Sequence, residues 1–272
     1  MSATTLAGKR TRILGSAVVT WLVFAAALLL WELIAIGADS VYFPRMTAIL
    51  GTAVDLLLSG PAWRLMLSDA VFEIVLPSLA TALGAWAASA VLGIALGTAL
   101  GRSDWAMDYC GTLISFLRSV PPVTLMPAFM VIFGIGVEME IAAIVFSTLW
   151  PIVLNTVDGV RSVDEVKIDT ARSLGTPRRY WIGMIVLPAA MPKIFAGLRL
   201  SLSIAILLMV VAEIVSGSGI GLQLSTTQST VQYTEMWVWV LLLGVLGYAL
   251  NSALLAVERL VLGWQPTRGD DA

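Results

Sequence analysis

The sequence predicts an all-α integral membrane protein with six membrane-spanning helices and both termini in the cytoplasm. Three observations predict it. Of the 272 residues, 58% are hydrophobic and 12% charged, with a mean hydropathy of +0.91, a balance that no water-soluble domain of this length would tolerate. Apolar runs long enough to cross ~30 Å of hydrocarbon at ~1.5 Å per residue recur along the chain. The basic residues segregate: with the N-terminus inside, the inner segments collect Lys9, Arg10, Arg12, Arg102, Arg118, Arg161, Lys167, Arg172, Arg178, Arg179, Lys193, Arg199, Arg259 and Arg268, leaving Arg45 and Arg64 outside.

The basic tail, residues 1–12, leads into Ile13–Ile36, which is too long for the apolar core of a signal peptide and lacks a convincing cleavage site, so it reads as a retained first span. Trp31 and Glu32 then fall near the far interface. Pro44, Gly60 and Pro61 break the next stretch, where Met46–Leu58 and Trp63–Val75 read as short amphipathic helices at the outer surface. Leu76–Gly101 is the second span. Small residues recur on it every fourth position, at Thr81, Ala85, Ser89, Gly93, Gly97 and Gly101, a face that lets another helix come close.

After a polar turn, Arg102–Asp108, the third span Gly111–Gly136 carries Ser119, Pro121, Pro122 and Pro127. Prolines inside a span leave carbonyls unpaired, so this helix must be kinked or broken, and such helices line cavities. Ile141–Val157 is the fourth span, in which Asn155 needs a hydrogen-bond partner, most often on a neighbouring helix. Ile194–Val215 is the fifth, ending at Glu213, and the glycines at 217, 219 and 221 make Ser216–Glu235 a loop. Met236–Leu260 is the sixth span and 261–272 a tail. Ser119, Pro121, Pro122, Pro127, Asn155 and Glu213 are the candidate pathway residues. Glu213, near a helix end, is expected to reach water or cap the glycine loop.

The longest charged stretch lies between spans four and five, within 160–192. Ser162 and Glu165 have capping-box spacing, Gly175 can take the left-handed conformation that ends a helix, and Thr176-Pro177 suits a second helix start. Arg178–Leu187 follows, and Pro188 closes the run. Two short helices hinged at a glycine are expected.

That layout resembles the cytoplasmic coupling loop of ABC importer permeases, whose signature is Glu-Ala-Ala, three residues, Gly, nine residues, Ile, one residue, Leu-Pro. Asp169, Thr170, Ala171, Gly175, Ile185, Leu187 and Pro188 keep every spacing, with Asp for Glu and Thr for Ala at the start. Leu174 lies beside the hinge. Further stretches, among them 121–136, 151–162, 187–200 and 212–222, look like the permeases of the nitrate/sulfonate/taurine group. The resemblance implies a type I importer fold in a bacterial inner membrane and a pair of permease chains, most simply two copies of this one. It also implies two cytoplasmic ATP-binding subunits docked on 160–192, an extracytoplasmic substrate-binding protein, and a small anion such as a sulfonate, taurine or nitrate as cargo.

The residues themselves restrict the alternatives. With no histidine and a single cysteine, Cys110, there is no histidine-based metal site, Ser-His catalysis or internal disulfide, and no metal or other cofactor is expected. Lys9, Lys167 and Lys193 sit in no phosphate-binding loop, so ATP hydrolysis belongs to a partner and the chain is not itself an enzyme. An ion-gradient-driven transporter would keep ionisable groups at mid-membrane and often shows repeats. Glu213 is the main such group, and no repeat is evident. A membrane hydrolase lacks its motifs and paired intramembrane carboxylates. Nothing suggests nucleic acid. The segment Arg268-Gly269-Asp270 is a coincidence of three residues.

Overall fold

The computed structural model describes residues 3–263, among which the chain is helical and no strand occurs. The helices are α1 Ala3–Ala38, α2 Met46–Leu57, α3 Leu76–Gly101, α4 Asp104–Ser119, α5 Met126–Phe133, α6 Val137–Arg161, α7 Glu165–Ser173, α8 Arg178–Trp181, α9 Leu187–Ser216, α10 Gly219–Ser229 and α11 Tyr233–Val261. Among the described residues five helical stretches are long and apolar enough to cross a membrane. A sixth results if α4 and Pro122–Phe133, bent by 85°, form one span. The tail from 264 onward, with its Arg-Gly-Asp, lies outside the described residues.

The chain divides into two compact units. In the larger, which includes Val71–Ser225, α6 is the central helix and packs along α3 on one side and α9 on the other. The stripe of small residues on α3 is what meets α6. A Cβ on Gly97 would lie 2.6 Å from Thr156 Cβ and 2.7 Å from the Val153 carbonyl oxygen, so only glycine permits this approach. The close contact gains dispersion energy where no hydrophobic effect operates between helices in lipid. Trp86 Nε1 adds a 2.9 Å hydrogen bond to Ser201 on α9.

The smaller unit, Met1–Ala70 with Thr226–Val240, is held by aromatic rings. Trp31 stacks on Phe43 at 4.3 Å and meets Trp237 edge-on at 5.0 Å. Trp31 and Trp237 donate to the carbonyls of Pro44 and Tyr42, each at 3.2 Å. Glu32, expected at an interface, caps α2 by accepting from Thr47 N at 3.2 Å and Thr47 Oγ1 at 2.8 Å.

Several expected elements differ. Lys9, Arg10 and Arg12 lie within the helix α1, which runs on unbroken to Ala38. Trp63–Val75 is not one amphipathic helix. After a 3-10 turn, Leu65 and Met66 take positive φ of 56° and 63°, and Ser68 N returns to the Leu57 carbonyl at 3.0 Å, closing a loop onto α2. The turn after α3 is short, because Ser103 caps α4 by accepting from Ala106 N at 3.2 Å and so draws 104–108 into the helix. The supposed glycine loop after α9 is mostly the helix α10, with Gly217 at φ 73° providing the break.

The prolines act differently from expectation as well. Val71–Val75 and Ile182–Val186 are π-turns, and each runs without interruption into the helix that follows. Both pass into the next helix through the same tetrapeptide, Ile-Val-Leu-Pro, at 74–77 and 185–188. Proline lacks an N–H and crowds the carbonyl four residues back, and one widened turn absorbs both. Pro188 therefore does not close a helix but lies in the first turn of α9, and Pro192 is tolerated inside it. The shared tetrapeptide is a local repeat of sequence and backbone that had not been evident.

Candidate functional site

The site begins with α7. Its N-cap is Asp164, whose Oδ1 accepts from Val166 N at 3.0 Å, not Ser162. Ser162 instead terminates α6 and donates to the Gly159 carbonyl at 2.9 Å. Ser162 and Asp164, two residues apart, both carry a capping oxygen, and the length of α6 decided between them. At the other end Gly175 takes φ 65°, as expected, within a full Schellman closure: Thr176 N donates to the Ala171 carbonyl at 3.1 Å and Gly175 N to that of Arg172 at 2.9 Å. Pro177 precedes α8, and Tyr180 N donates to its carbonyl at 2.9 Å.

The loop is fixed on one side and presented on the other. Ile168, Ala171, Trp181 and Val186 are buried in one cluster with Val160, Ile194 and Phe195 of α6 and α9, and Ile185 and Leu187 pack partly against it. On the opposite side Val166, Thr170 and Leu174 recur every fourth residue and point outward. Leu174 is 78% exposed and Val166 70%. Val166 had gone unnoticed; its signal was an apolar residue four before Thr170. Asp169 is also exposed and pairs with Arg172 at 3.2 Å. Thr170 donates to the Val166 carbonyl at 2.7 Å and fits the helix without crowding. Of the expected set, Asp169, Thr170, Leu174 and Gly175 are presented, Ala171, Ile185 and Leu187 pack in or against the cluster that fixes the loop, and Pro188 lies in the first turn of α9.

A second feature lies at mid-length of the spans. A cavity of about 570 Å³ is bounded by Phe146, Trp150 and Asn155 on α6, by Leu200–Leu208 on α9, and by Arg118, Val120 and Pro122 at the bend between α4 and α5. Of the expected pathway residues, Pro122 and Asn155 line it. Ser119 and Pro121 sit at the bend itself, where Ser119 donates to the Phe116 carbonyl at 2.7 Å, and Pro127 lies in the first turn of α5. The partner of Asn155 is on its own helix: Nδ2 donates to the Pro151 carbonyl at 2.8 Å.

Arg118, grouped with the inner basic residues, lies in the last turn of α4, about 22 Å along the helix from Ser103 at ~1.5 Å per residue. Among the described residues it has no carboxylate partner. Trp150 Nε1 is likewise buried without a hydrogen-bond partner. The cavity thus combines apolar and aromatic walls with groups that donate hydrogen bonds.

Glu213 is 2% exposed and does not reach water. It does cap the following segment, since Oε2 accepts from Gly221 N at 2.9 Å. It is also not the sole buried carboxylate. Glu140 of α6, 3% exposed, accepts from Ser216 at 2.5 Å and Ser218 at 2.7 Å, so two acids hold the same turn.

The profile of the family described as "Binding-protein-dependent transport system inner membrane component" matches residues 89–262. The chain belongs to this family. It is an inner-membrane, multi-pass permease of the ABC transporter class. The nitrate import permease protein NrtB of Synechocystis is 28% identical over 240 residues, covering 88% of this chain and 86% of the relative. The taurine transport system permease protein TauC of Escherichia coli is 28% identical over 178 residues, 65% of either chain. A chain of the MetNI methionine ABC transporter in an inward-facing conformation shares the fold, with a TM-score of 0.62 and 20% identity, over 71% of this chain and 96% of that one.

Proposed function

We propose that this permease forms the solute pathway of an ATP-driven importer for a small anion, with ATP hydrolysed on two separate cytoplasmic subunits seated on the 160–192 loop. The polypeptide is then a conduit and not an enzyme. A binding protein outside delivers the solute, and a second permease chain, most simply another copy, completes the pathway. The observation that carries this reading is α7, with Ile168 and Ala171 buried in the α6–α9 core and Val166, Thr170 and Leu174 turned outward. An element anchored in this way transmits a push from a partner to the membrane helices as a rigid-body motion between two states. Asp169, Thr170, Leu174 and Gly175 contact the ATP-binding subunit in this scheme, while Ala171, Ile185, Leu187 and Pro188 fix the loop.

An anionic cargo is supported by the unpaired Arg118 and the free Trp150 N–H beside the mid-span cavity. A charge at that depth is costly unless something pairs with it. Asn155 and Pro122 complete the lining, with Ser119, Pro121 and Pro127 shaping the bend that opens it, and the relatives named for nitrate and taurine share an anionic group, the nitrate ion and the taurine sulfonate. Glu213 serves as a structural cap or gate.

The test is reconstitution of the chain with its ATP-binding subunit and binding protein, followed by uptake of labelled nitrate, taurine and an alkanesulfonate. Uptake of at least one that requires both ATP and binding protein is expected. Accumulation driven by an ion gradient in ATP-free vesicles would refute the reading and restore a secondary transporter.

A further inference from the structure

Arg102 follows the last residue of α3, and Arg178 opens α8, the short helix that leads through the π-turn back toward the membrane. The two arginines line a pair of adjoining cavities. One, about 490 Å³, is polar and includes Arg172, Thr176 and Trp181. The other, about 510 Å³, is almost wholly apolar, walled by Val91, Ala95 and Ala99 of α3 and by Ile182 and Leu187. We propose that together they bind an anionic phospholipid of the cytoplasmic leaflet, with Arg102 and Arg178 holding its phosphate and an acyl chain lying in the apolar groove.

The cationic end is organised and unsatisfied. The Arg102 guanidinium lies over the buried Trp181 ring at 4.9 Å and that of Arg172 at 5.8 Å, so one indole orients both. Burial first, then the charges of Arg172 and Arg178, hold the Arg102 pKa below its usual value; the carboxylates of Asp104 and Glu165 oppose this less strongly. Arg102 Nε is buried with no hydrogen-bond partner. Asp104 is engaged by Arg161 at 2.7 Å and Asp169 by Arg172 at 3.2 Å, whereas Arg102 and Arg178 have no carboxylate partner among the described residues. A phosphate supplies the missing charge and acceptors.

The groove selects a lipid over a soluble anion. Val91 to Arg102 spans about 16 Å of helix at ~1.5 Å per residue, close to half of a ~30 Å hydrocarbon core and so to one leaflet. The arginines stand at the end of the spans that the positive-inside rule assigns to the cytoplasm, the side on which anionic headgroups gather. The proposal needs only a membrane-spanning chain, although the polar cavity is also bordered by Gly175, which the coupling reading sets against the ATP-binding subunit.

The test is native mass spectrometry of the full-length chain purified from membranes and equilibrated with equimolar phosphatidylglycerol and phosphatidylethanolamine. Retention of phosphatidylglycerol is expected to exceed that of phosphatidylethanolamine by roughly thirtyfold, about fivefold for each of the two arginines. The double variant Arg102→Gln/Arg178→Gln should abolish the preference. Ala95→Trp, at an exposed position, leaves the arginines in place but fills the groove, and should also reduce phosphatidylglycerol. Three results would overturn the proposal. The first is a double variant that keeps the wild-type preference. The second is displacement of phosphatidylglycerol by inorganic phosphate with no effect of Ala95→Trp, which marks a soluble-anion site. The third is a double variant that sheds its ATP-binding subunit with lipid retention unchanged, which assigns these arginines to a protein partner.

Discussion

If α7 is the element through which ATP hydrolysis reaches the membrane, Gly175 is where a small change should separate coupling from folding. Its φ of 65° costs an ordinary L residue about 1–2 kcal/mol. A Cβ there meets nothing within 4 Å in this chain, so no internal clash is added. Against that cost stand the buried Ile168, Trp181 and Val186, each contributing about 1.5–3 kcal/mol of apolar burial. The loop therefore stays attached, and Gly175→Asp should be produced and inserted at normal levels. Its effect should appear where the adjacent, exposed Leu174 meets the partner, as loss of the copurifying ATP-binding subunit or loss of ATPase stimulation by loaded binding protein. Gly175→Ala separates the causes, because alanine carries the left-handed strain with little bulk: if it transports normally while Gly175→Asp fails, bulk or charge against the partner is responsible and backbone strain is not. Gly183→Ala, with open space around its Cβ, is the matched control. Arg172→Gln is a poor one, since Arg172 pairs with Asp169 and lies over Trp181. A Gly175→Asp chain that retains its partner in full stoichiometry and transports at the wild-type rate would refute the assignment.

Four further outcomes are expected. Alkaline phosphatase fused after Ala272 should be inactive and a cytoplasmic reporter active; the reverse would break the even span count. Gly97→Val should force α3 from α6 at a cost of about 1–3 kcal/mol from overpacking, seen as a lower Tm in detergent, and an unchanged Tm would mean that the helices do not meet there. Glu213→Gln keeps an acceptor for Gly221 N and should transport with the wild-type pH dependence, whereas Glu213→Leu strands that N–H at about 1–3 kcal/mol and should lower the Tm. Uptake by Glu213→Gln that no longer responds to pH would instead indicate a proton-carrying role. Arg118→Gln should reduce anion uptake at least tenfold while the complex assembles normally, with Arg118→Lys recovering part of it; full activity in Arg118→Gln would remove this residue from the pathway.

The long apolar helices, the small-residue contact face of α3 and the glycine-terminated α7 were all legible in the sequence, because each follows from local rules. Hydrocarbon demands long apolar runs, close helix approach demands small residues at fixed spacing, and a left-handed helix end demands glycine. What escaped were features in which a residue has two locally acceptable fates. Ser162 and Asp164 could each cap α7, and the end of α6 took the first and left the second. Pro188 could stop a helix or ride behind a π-turn, and packing of Ile185, Val186 and Leu187 on the α6–α9 core kept the helix continuous. Arg118 counted only as one of the inner basic residues, and the 85° bend after α4 set it beside a cavity walled by α6 and α9. Glu140 and Glu213 are 73 positions apart by their numbering, and only the packing of α6 against α9 turned them toward one loop. Local chemistry thus determined which segments are helices and which faces are apolar. The choice among competing partners was tertiary, because it depends on which groups the close packing of α3, α6 and α9 leaves within reach.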